Sequence, residues 1–226
     1  MAPSESPPVL LLHGFAASFE RTWRDNGWCD LLADLGREVV GIDLLGHGTS
    51  DKPHDPGAYG DLERRVAETL PPGPVDAIAF SLGARVLLGV AAEDPARFRR
   101  IVVAGVGANL FRADDPEPIA RALLDGAGED DRVGQHFALL AAAPGNDPRA
   151  LAACLRRPTA PLGEEQLARI DRPVLVVLGD RDFAGPADPL LAALPDARLA
   201  TLRGVDHFAT PKALGFLDAA LDFLSA

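Results

Sequence analysis

The sequence predicts a doubly wound α/β fold with a mainly parallel sheet of about six strands. Short apolar runs alternate along the chain with segments in which apolar residues recur every three or four positions, a pattern typical of βαβ units. Most runs are almost continuously apolar, as strands covered by helices on both faces are. In chain order the runs are Val9–Leu12, Val39–Ile42, Val75–Phe80, Ile101–Val106, Val174–Leu178 and the weaker Arg198–Leu202.

The composition is that of a folded domain that avoids anionic partners. The 226 residues suit one domain, and 47% hydrophobic with 24% charged residues exclude disordered and fibrous classes. The formal charge of −11 disfavours nucleic acids and anionic membranes. No apolar segment spans a bilayer and residues 1–6 lack a signal-peptide pattern, so we expect no membrane partner and a cytoplasmic location. Cys29 and Cys154 are expected to be free thiols without metal-ligand spacing, and no metal or cofactor is implied.

Two apolar stripes predict helices between and after the strands, and a proline marks a helix end. The stripes are Tyr59, Leu62, Val66 and Leu70, and Leu214, Leu217, Leu221 and Leu224. Spacings of three and four residues place each stripe on one helix face. Pro95 is expected to end the helix after the third strand, because proline cannot continue a helix.

Residues 109–169 interrupt the alternation, because they contain helical patches and no convincing strand. The patches are Ile119–Leu124, Val133–Leu140 and Leu151–Leu155. About 60 residues are too many for an ordinary loop. We therefore expect a helical insertion at 109–169 above the carboxyl ends of the strands, with residues 1–108 and 170–226 forming the core.

Ser81 stands where the third apolar run passes directly into a helical segment. So abrupt a turn forces the serine into a strained backbone conformation and requires small residues two positions before and after it. Ala79 and Gly83 meet that requirement. A serine that simply caps the helix is the alternative, and this segment alone leaves both interpretations open.

Acidic residues and a histidine follow two later strands. Asp180 and Asp182 come after the fifth run, and His207 lies between the sixth run and the last helix. The carboxyl ends of parallel strands share one edge of the sheet, so Ser81, one of these carboxylates and His207 can converge. An imidazole activates a serine hydroxyl and a carboxylate orients the imidazole. His207 alone would be an ordinary loop histidine, but the three positions together favour nucleophilic catalysis.

The end of the first strand supplies backbone donors. In the segment His13-Gly14-Phe15-Ala16, main-chain N–H groups can form an oxyanion hole together with the N–H of Leu82. His13 is expected to stabilise this loop through hydrogen bonds, and His47 to pack behind the site.

These motifs together resemble the α/β-hydrolase fold superfamily. The resemblance rests on the order Ser81, Asp182, His207, on the His13-Gly14 strand end and on the serine turn, and it extends over nearly the whole chain. The stretch Gly41–Pro53 also looks like the family's loop pattern D-x-x-G-x-G-x-S.

The resemblance implies a role for each side chain. Ser81 is expected to be the nucleophile and His207 the base and then the acid. Asp182, rather than Asp180, is expected to orient the imidazole, because family members place this acid at the end of a G-x-x-D turn.

It also implies the surroundings of the site. Phe15 and Leu82 are expected to supply the oxyanion N–H groups, and residues 109–169 correspond to the family's variable lid. The family's leading β-hairpin is expected to be missing.

Two positions depart from the family pattern. Ala79 replaces the usual first glycine of the serine turn, and Asp206 replaces a glycine before His207. Asp206 is expected either to raise the pKa of the imidazole or to compete as its partner.

The function that the sequence favours is a serine hydrolase cleaving a small, largely apolar carboxylic ester or related acyl bond through an acyl-enzyme. Phe80, Phe183 and Phe208 adjoin the proposed catalytic positions and suit an apolar acyl pocket, although each is equally compatible with a core position. Ser81 argues against the family's dehalogenases and epoxide hydrolases, which use an aspartate nucleophile.

Two alternatives remain open on the same residues. A carbon–carbon bond hydrolase or lyase acting on a small acidic metabolite would need a cation over the site, for which Arg85, Arg112 and Arg121 are candidates. A small-molecule sensor would bind its ligand with little or no turnover.

Overall fold

The computed structural model describes residues 6–113 and 115–226. Its strands form one sheet in the order β2-β1-β3-β4-β5-β6, and every neighbouring pair is parallel. The predicted α/β class and parallel sheet are therefore confirmed. The signal-peptide expectation rests largely on residues 1–5, which lie outside the described residues. The strands are β1 Val9–Leu12, β2 Val39–Ile42, β3 Val75–Phe80, β4 Phe98–Ala104, β5 Val174–Gly179 and β6 Ala197–Leu202.

Strand β4 shows where the apolar pattern misleads. It begins at Phe98, three residues before the predicted run, because two arginines interrupt the apolar sequence without leaving the sheet. Arg99 directs its guanidinium to the buried carboxylate of Asp76 on β3, with Nε 2.9 Å from Oδ1. The strand ends before Gly105, whose φ of 67° turns the chain out of the sheet.

Helices cover both faces of the sheet, and no described helix is both long enough and apolar enough to cross a bilayer. A π-helical turn spans Glu20–Arg24, and 3₁₀ turns include Ala108–Phe111 and Thr210–Lys212. The α-helices are α1 Trp28–Asp34, α2 Leu62–Thr69, α3 Leu82–Glu93, α4 Glu117–Asp125, α5 Arg132–Ala141, α6 Pro148–Leu155, α7 Glu164–Leu167, α8 Asp188–Ala193 and α9 Leu214–Ser225.

The alternation of side chains along β1 divides the core into two layers. Leu10 and Leu12 pack with residues of α2, α3 and α8 on one face. Val9 and Leu11 pack with residues of α1 and α9 on the other. All four are fully buried, and each such side chain contributes about 1.5–3 kcal/mol of transfer free energy. The two layers hold the carboxyl ends of the strands in fixed positions.

Helix α9 forms where predicted, and its buried face overlaps the predicted leucine stripe without coinciding with it. Leu214, the first residue of that stripe, is 77% exposed. The buried side is centred on Phe216, Ala220 and Phe223, which continue the layer around Trp28. Leu224 of the stripe is buried on the same side, and Leu217 and Leu221 pack partly against it, so only the first residue of the stripe is solvent-facing.

The helices between β4 and β5 build a third small core above the sheet. Helices α4, α5 and α6 occupy the three predicted patches, whereas α7 and the 3₁₀ turn at Ala108–Phe111 were not predicted. Leu123, Ala141 and Leu151 pack in this core together with Ala16 from the loop after β1. The helical segment is thereby anchored to the carboxyl edge of the sheet.

Candidate active site

Ser81 occupies a sharp turn between β3 and α3. Its φ of 51° and ψ of −112° lie outside the regions that most non-glycine residues adopt, and its side chain makes no capping hydrogen bond to α3. The alternative in which Ser81 caps α3 through its side chain is therefore wrong. A Cβ on Gly83 would lie only 2.5 Å from the carbonyl oxygen of His13, and the Gly83 N–H donates to that oxygen at 3.1 Å. This close approach explains the need for a small residue.

Three side chains form a continuous hydrogen-bonded row at the carboxyl edge. His207 Nε2 lies 2.9 Å from Ser81 Oγ, and His207 Nδ1 lies 2.9 Å and 3.0 Å from the two carboxylate oxygens of Asp182. A carboxylate only accepts, so Nδ1 carries the proton and Nε2 accepts from the serine hydroxyl. The Asp182 side chain is fully buried, and its Oδ1 also accepts from the Ala184 N–H at 2.9 Å. The imidazole is thus oriented toward Ser81.

The other nearby carboxylates have different partners. Asp180 Oδ1 accepts from the Gly204 N–H at 2.7 Å. Asp206 Oδ1 accepts from the Ala209 N–H at 2.9 Å, in the turn after His207. The expected competition between Asp206 and Asp182 is therefore not seen, because Asp206 is engaged with the main chain.

The main-chain N–H groups of Phe15 and Leu82 donate no hydrogen bond within the described residues. For Leu82 this follows from its place in the first turn of α3, where N–H groups have no acceptor in the helix. Next to Phe15, Ala16 takes a left-handed φ of 56°. Leu82 directly follows Ser81 and Phe15 lines the same pocket, so two main-chain donors without a described acceptor lie at this site.

His13 and His47 are buried behind this loop as neutral rings. The Leu44 N–H donates to His13 Nε2 at 3.0 Å, so His13 Nδ1 donates to the Gly14 carbonyl at 2.7 Å. His47 Nδ1 donates to the Leu45 carbonyl at 3.0 Å. Burial lowers the pKa of His13, and it lowers the pKa of His47 to about 3. Both rings therefore hold the loop in place and do not serve as bases.

A pocket of about 540 Å³ opens onto Ser81 and His207. Its polar lining includes Arg21, Asp25 and Lys212. Its apolar lining includes Phe15, Phe80, Phe137, Leu140 and Phe208. The pocket therefore offers both apolar and charged surface to a ligand.

The structure separates the three aromatic residues singled out in the sequence. Phe80 and Phe208 line the pocket. Phe183 does not: it is 49% exposed and packs its ring 4.3 Å from that of His207. The pocket lining contains none of the three arginines considered as cations. Arg85, for example, donates to the Ala160 carbonyl at 2.6 Å. Arg112 and Arg121 are likewise outside the lining.

Sequence reasoning missed the pocket's cations and its wall from α5. Arg21 and Lys212 lie in a π-helical and a 3₁₀ turn, which leave no periodic signal in the sequence. His136 and Phe137 lie within a predicted helical patch, but nothing in the sequence says which side of that helix faces the serine. His136 stacks on Phe208 with ring centroids 3.6 Å apart.

Across residues 6–113 and 115–226, no group of three His, Cys, Asp or Glu side chains is arranged to hold a metal ion. Both cysteines are free, and burial raises the pKa of Cys154 to about 11.

Residues 9–219 match the alpha/beta hydrolase family, so the chain belongs to that family. The crystal structure of a hydrolase from Pseudomonas aeruginosa PA01 has the same fold, with a TM-score of 0.70 and 26% identity over 100% of this chain and 92% of that one.

Two relatives found by sequence match this chain over very different lengths. A pimeloyl-[acyl-carrier protein] methyl ester esterase from Neisseria meningitidis is 29% identical over 91% of this chain and 88% of its own length. A haloalkane dehalogenase from Mycolicibacterium paratuberculosis is 36% identical over 110 residues. That match covers 45% of this chain and 35% of the dehalogenase, so the chain spans only about a third of that relative.

Proposed function

We propose that this chain is a serine hydrolase that cleaves a small, largely apolar carboxylic ester, or a related acyl bond, through an acyl-enzyme intermediate. The observation that carries the proposal is the row of hydrogen bonds from Ser81 Oγ through His207 to Asp182. The similarity to an esterase over nearly the full length of both chains supports the same reaction class.

In the proposed first step, Ser81 Oγ attacks the carbonyl carbon of the ester while His207 Nε2 accepts the hydroxyl proton. Asp182 stabilises the imidazolium that forms and keeps Nδ1 protonated. The tetrahedral intermediate collapses, the C–O bond to the alkoxy group breaks, and His207 returns the proton to the departing alcohol. Water then attacks the acyl-enzyme by the same route and releases the acid and Ser81.

The proposed oxyanion hole consists of the Phe15 and Leu82 main-chain N–H groups. Their lack of acceptors among the described residues supports this assignment. Donors fixed before the reaction stabilise the developing negative charge without reorganisation, and one such donor is worth about 10²–10³ in rate.

We also propose that residues 109–169 act as a lid over the acyl pocket. The support is that α5 contributes His136 and Phe137 to the pocket lining, beside Phe80 and Phe208. Aromatic walls suit an apolar acyl chain, because burying it removes apolar surface from water.

The test combines a fluorophosphonate probe with turnover of p-nitrophenyl esters of increasing chain length. We expect stoichiometric labelling of Ser81, multiple turnovers and a rate that declines once the acyl chain outgrows the pocket. Ser81→Ala should lose labelling and about 10⁴-fold or more in kcat/KM, while the fold stays intact.

Ser225→Ala, at the last residue of α9, is the matched control and should label and turn over as the wild type does. Labelling followed by a single turnover would instead favour the sensor. A folded protein that neither labels nor turns over would remove the proposed serine chemistry.

A further inference from the structure

The pocket next to Ser81 contains charged groups that a purely apolar substrate would not use. Arg21 lies in the π-helical turn, Asp25 directly follows it, and Lys212 lies in the 3₁₀ turn before α9. The Trp28 indole N–H donates to the Pro211 carbonyl at 3.3 Å, which ties the second turn to the start of α1. The charges therefore lie on segments anchored to the same side of the core.

Both cations lack an acidic partner within the described part of the chain. Neither Arg21 nor Lys212 has a carboxylate oxygen within 4.0 Å, whereas arginines such as Arg24 and Arg156 are paired. One Arg21 N–H donates to the Pro144 carbonyl at 2.7 Å, which positions the guanidinium and leaves its other donors for a ligand. The chain's other lysine, Lys52, donates to two loop carbonyls.

This charge distribution runs against that of the whole chain. Acidic residues outnumber basic ones by 33 to 22, yet two of the three Asp, Glu, Lys or Arg side chains lining the pocket are basic. A net charge of −11 repels anions at long range, so binding one requires local cations. Asp25 opposes that attraction, and His136 also faces the pocket, stacked on Phe208.

We propose that the substrate is an ester carrying a carboxylate at the far end of its apolar chain, and that Arg21 and Lys212 bind this carboxylate. The inference rests on the proposed ester hydrolysis and specifies its substrate class. The aromatic lining takes the apolar chain, and the two cations fix the charged end. Because Ser81 and the two cations line the same pocket, one chain length should reach both groups best.

The test compares monomethyl esters of dicarboxylic acids of four to eight carbons with methyl esters of monocarboxylic acids of equal length. The wild type should prefer the dicarboxylic series, with an optimum at one length. Lys212→Met and Arg21→Met should each reduce this preference, the ratio of the two kcat/KM values, by about tenfold. A tenfold loss lies at the low end of the range measured for removing a charge-assisted hydrogen bond, as expected for an exposed lysine.

Three further variants separate this role from a general effect of charge. Lys212→Arg should retain most of the preference, and Asp25→Asn should increase it, because a repelling carboxylate is removed. Arg198→Met, which removes an exposed cation from β6, should leave the preference unchanged. If Arg198→Met and Lys212→Met reduce the preference equally, or if the wild type has none, the inference is overturned while ester hydrolysis stands.

Ester binding to the inactive Ser81→Ala variant tests the proposed carboxylate recognition without any turnover. Calorimetry should show the monomethyl dicarboxylate binding more tightly than its neutral counterpart, with affinity lost in high salt and in the double variant with Lys212→Met. Equal affinities for the two esters would overturn the inference even if no ester were hydrolysed.

Discussion

Asn146 Nδ2 donates to the carbonyl oxygen of Ala16 at 2.9 Å and thereby joins the turn between α5 and α6 to the loop after β1. The same amide donates to the Leu140 carbonyl at 2.9 Å. Ala16 follows Phe15 and has a φ of 56°, a conformation that costs a residue with a Cβ about 1–2 kcal/mol. The helical segment thus fixes the peptide next to a proposed oxyanion donor.

Asn146→Ala should lower kcat for p-nitrophenyl acetate by about tenfold with little change in KM. Removing an oxyanion donor altogether costs about 10²–10³, and loosening the loop that holds it should cost less. Loss of the hydrogen bonds should also lower the free energy of unfolding by about 1–2 kcal/mol. Steady-state kinetics and urea unfolding measure the two effects separately.

Gln166→Ala is the control, because it removes a side-chain amide that accepts from the Gly163 N–H at 3.0 Å outside the pocket lining. It should lower stability slightly and leave kcat unchanged. Equal losses of kcat in both variants would show that Asn146 has no special connection to the site.

The two aspartates after β5 should respond very differently to amide substitution. Asp182→Asn should lower kcat/KM by about 10⁴-fold, because an amide N–H facing Nδ1 favours the wrong tautomer of His207. Asp180→Asn should change the rate by less than about threefold, because its amide oxygen can still accept from the Gly204 N–H. Steady-state ester hydrolysis by both variants measures the difference. A larger loss of kcat/KM for Asp180→Asn would show that Asp180, and not Asp182, orients the imidazole.

Much of the fold follows from the sequence, because strands buried on both faces leave continuous apolar runs. β1, β2 and β3 have the predicted bounds, and α4, α5 and α6 fall on the predicted patches. The failures have local causes. Arg99 and Arg100 hide the start of β4 because their charged ends reach carbonyl and carboxylate partners at the sheet's other edge.

The site was predictable in part because its residues follow strand ends in a fixed order. Ser81, Asp182 and His207 are brought together as the sequence predicted. The pocket is different, because its charged lining comes from short turns without periodicity. Arg21 and Lys212 become neighbours of the serine only through tertiary packing, such as the Trp28 contact to the second turn.

Two glycines of α3 should differ sharply on substitution by alanine. At Gly83 a Cβ would lie 2.5 Å from the His13 carbonyl, so strand and helix would have to separate. We expect Gly83→Ala to lower the free energy of unfolding by about 2–3 kcal/mol and to reduce kcat at least about tenfold by moving Ser81.

Gly89→Ala is the matched control in the same helix. There the nearest atom is Cγ of the Glu63 side chain, at 2.8 Å, which can move aside. Alanine also favours the helix by about 1 kcal/mol, so stability should change little and kcat not at all. Chemical unfolding and ester kinetics measure both variants, and similar losses would refute the close-approach explanation.

Burial of His47 should make the fold less stable in mild acid. Burial lowers its pKa from 6.5 to about 3. Between these two pH values His47 is therefore protonated in the unfolded chain and neutral in the folded chain. The free energy of unfolding therefore falls as the pH drops below about 6.5, and His47 alone should account for about 1.4 kcal/mol between pH 7.5 and 5.5. His47→Asn keeps a donor for the Leu45 carbonyl and removes the titration. Its urea-unfolding free energy should fall about 1.4 kcal/mol less than that of the wild type over the same interval, whatever its absolute stability. An identical fall in both proteins would mean that His47 is protonated in the folded state.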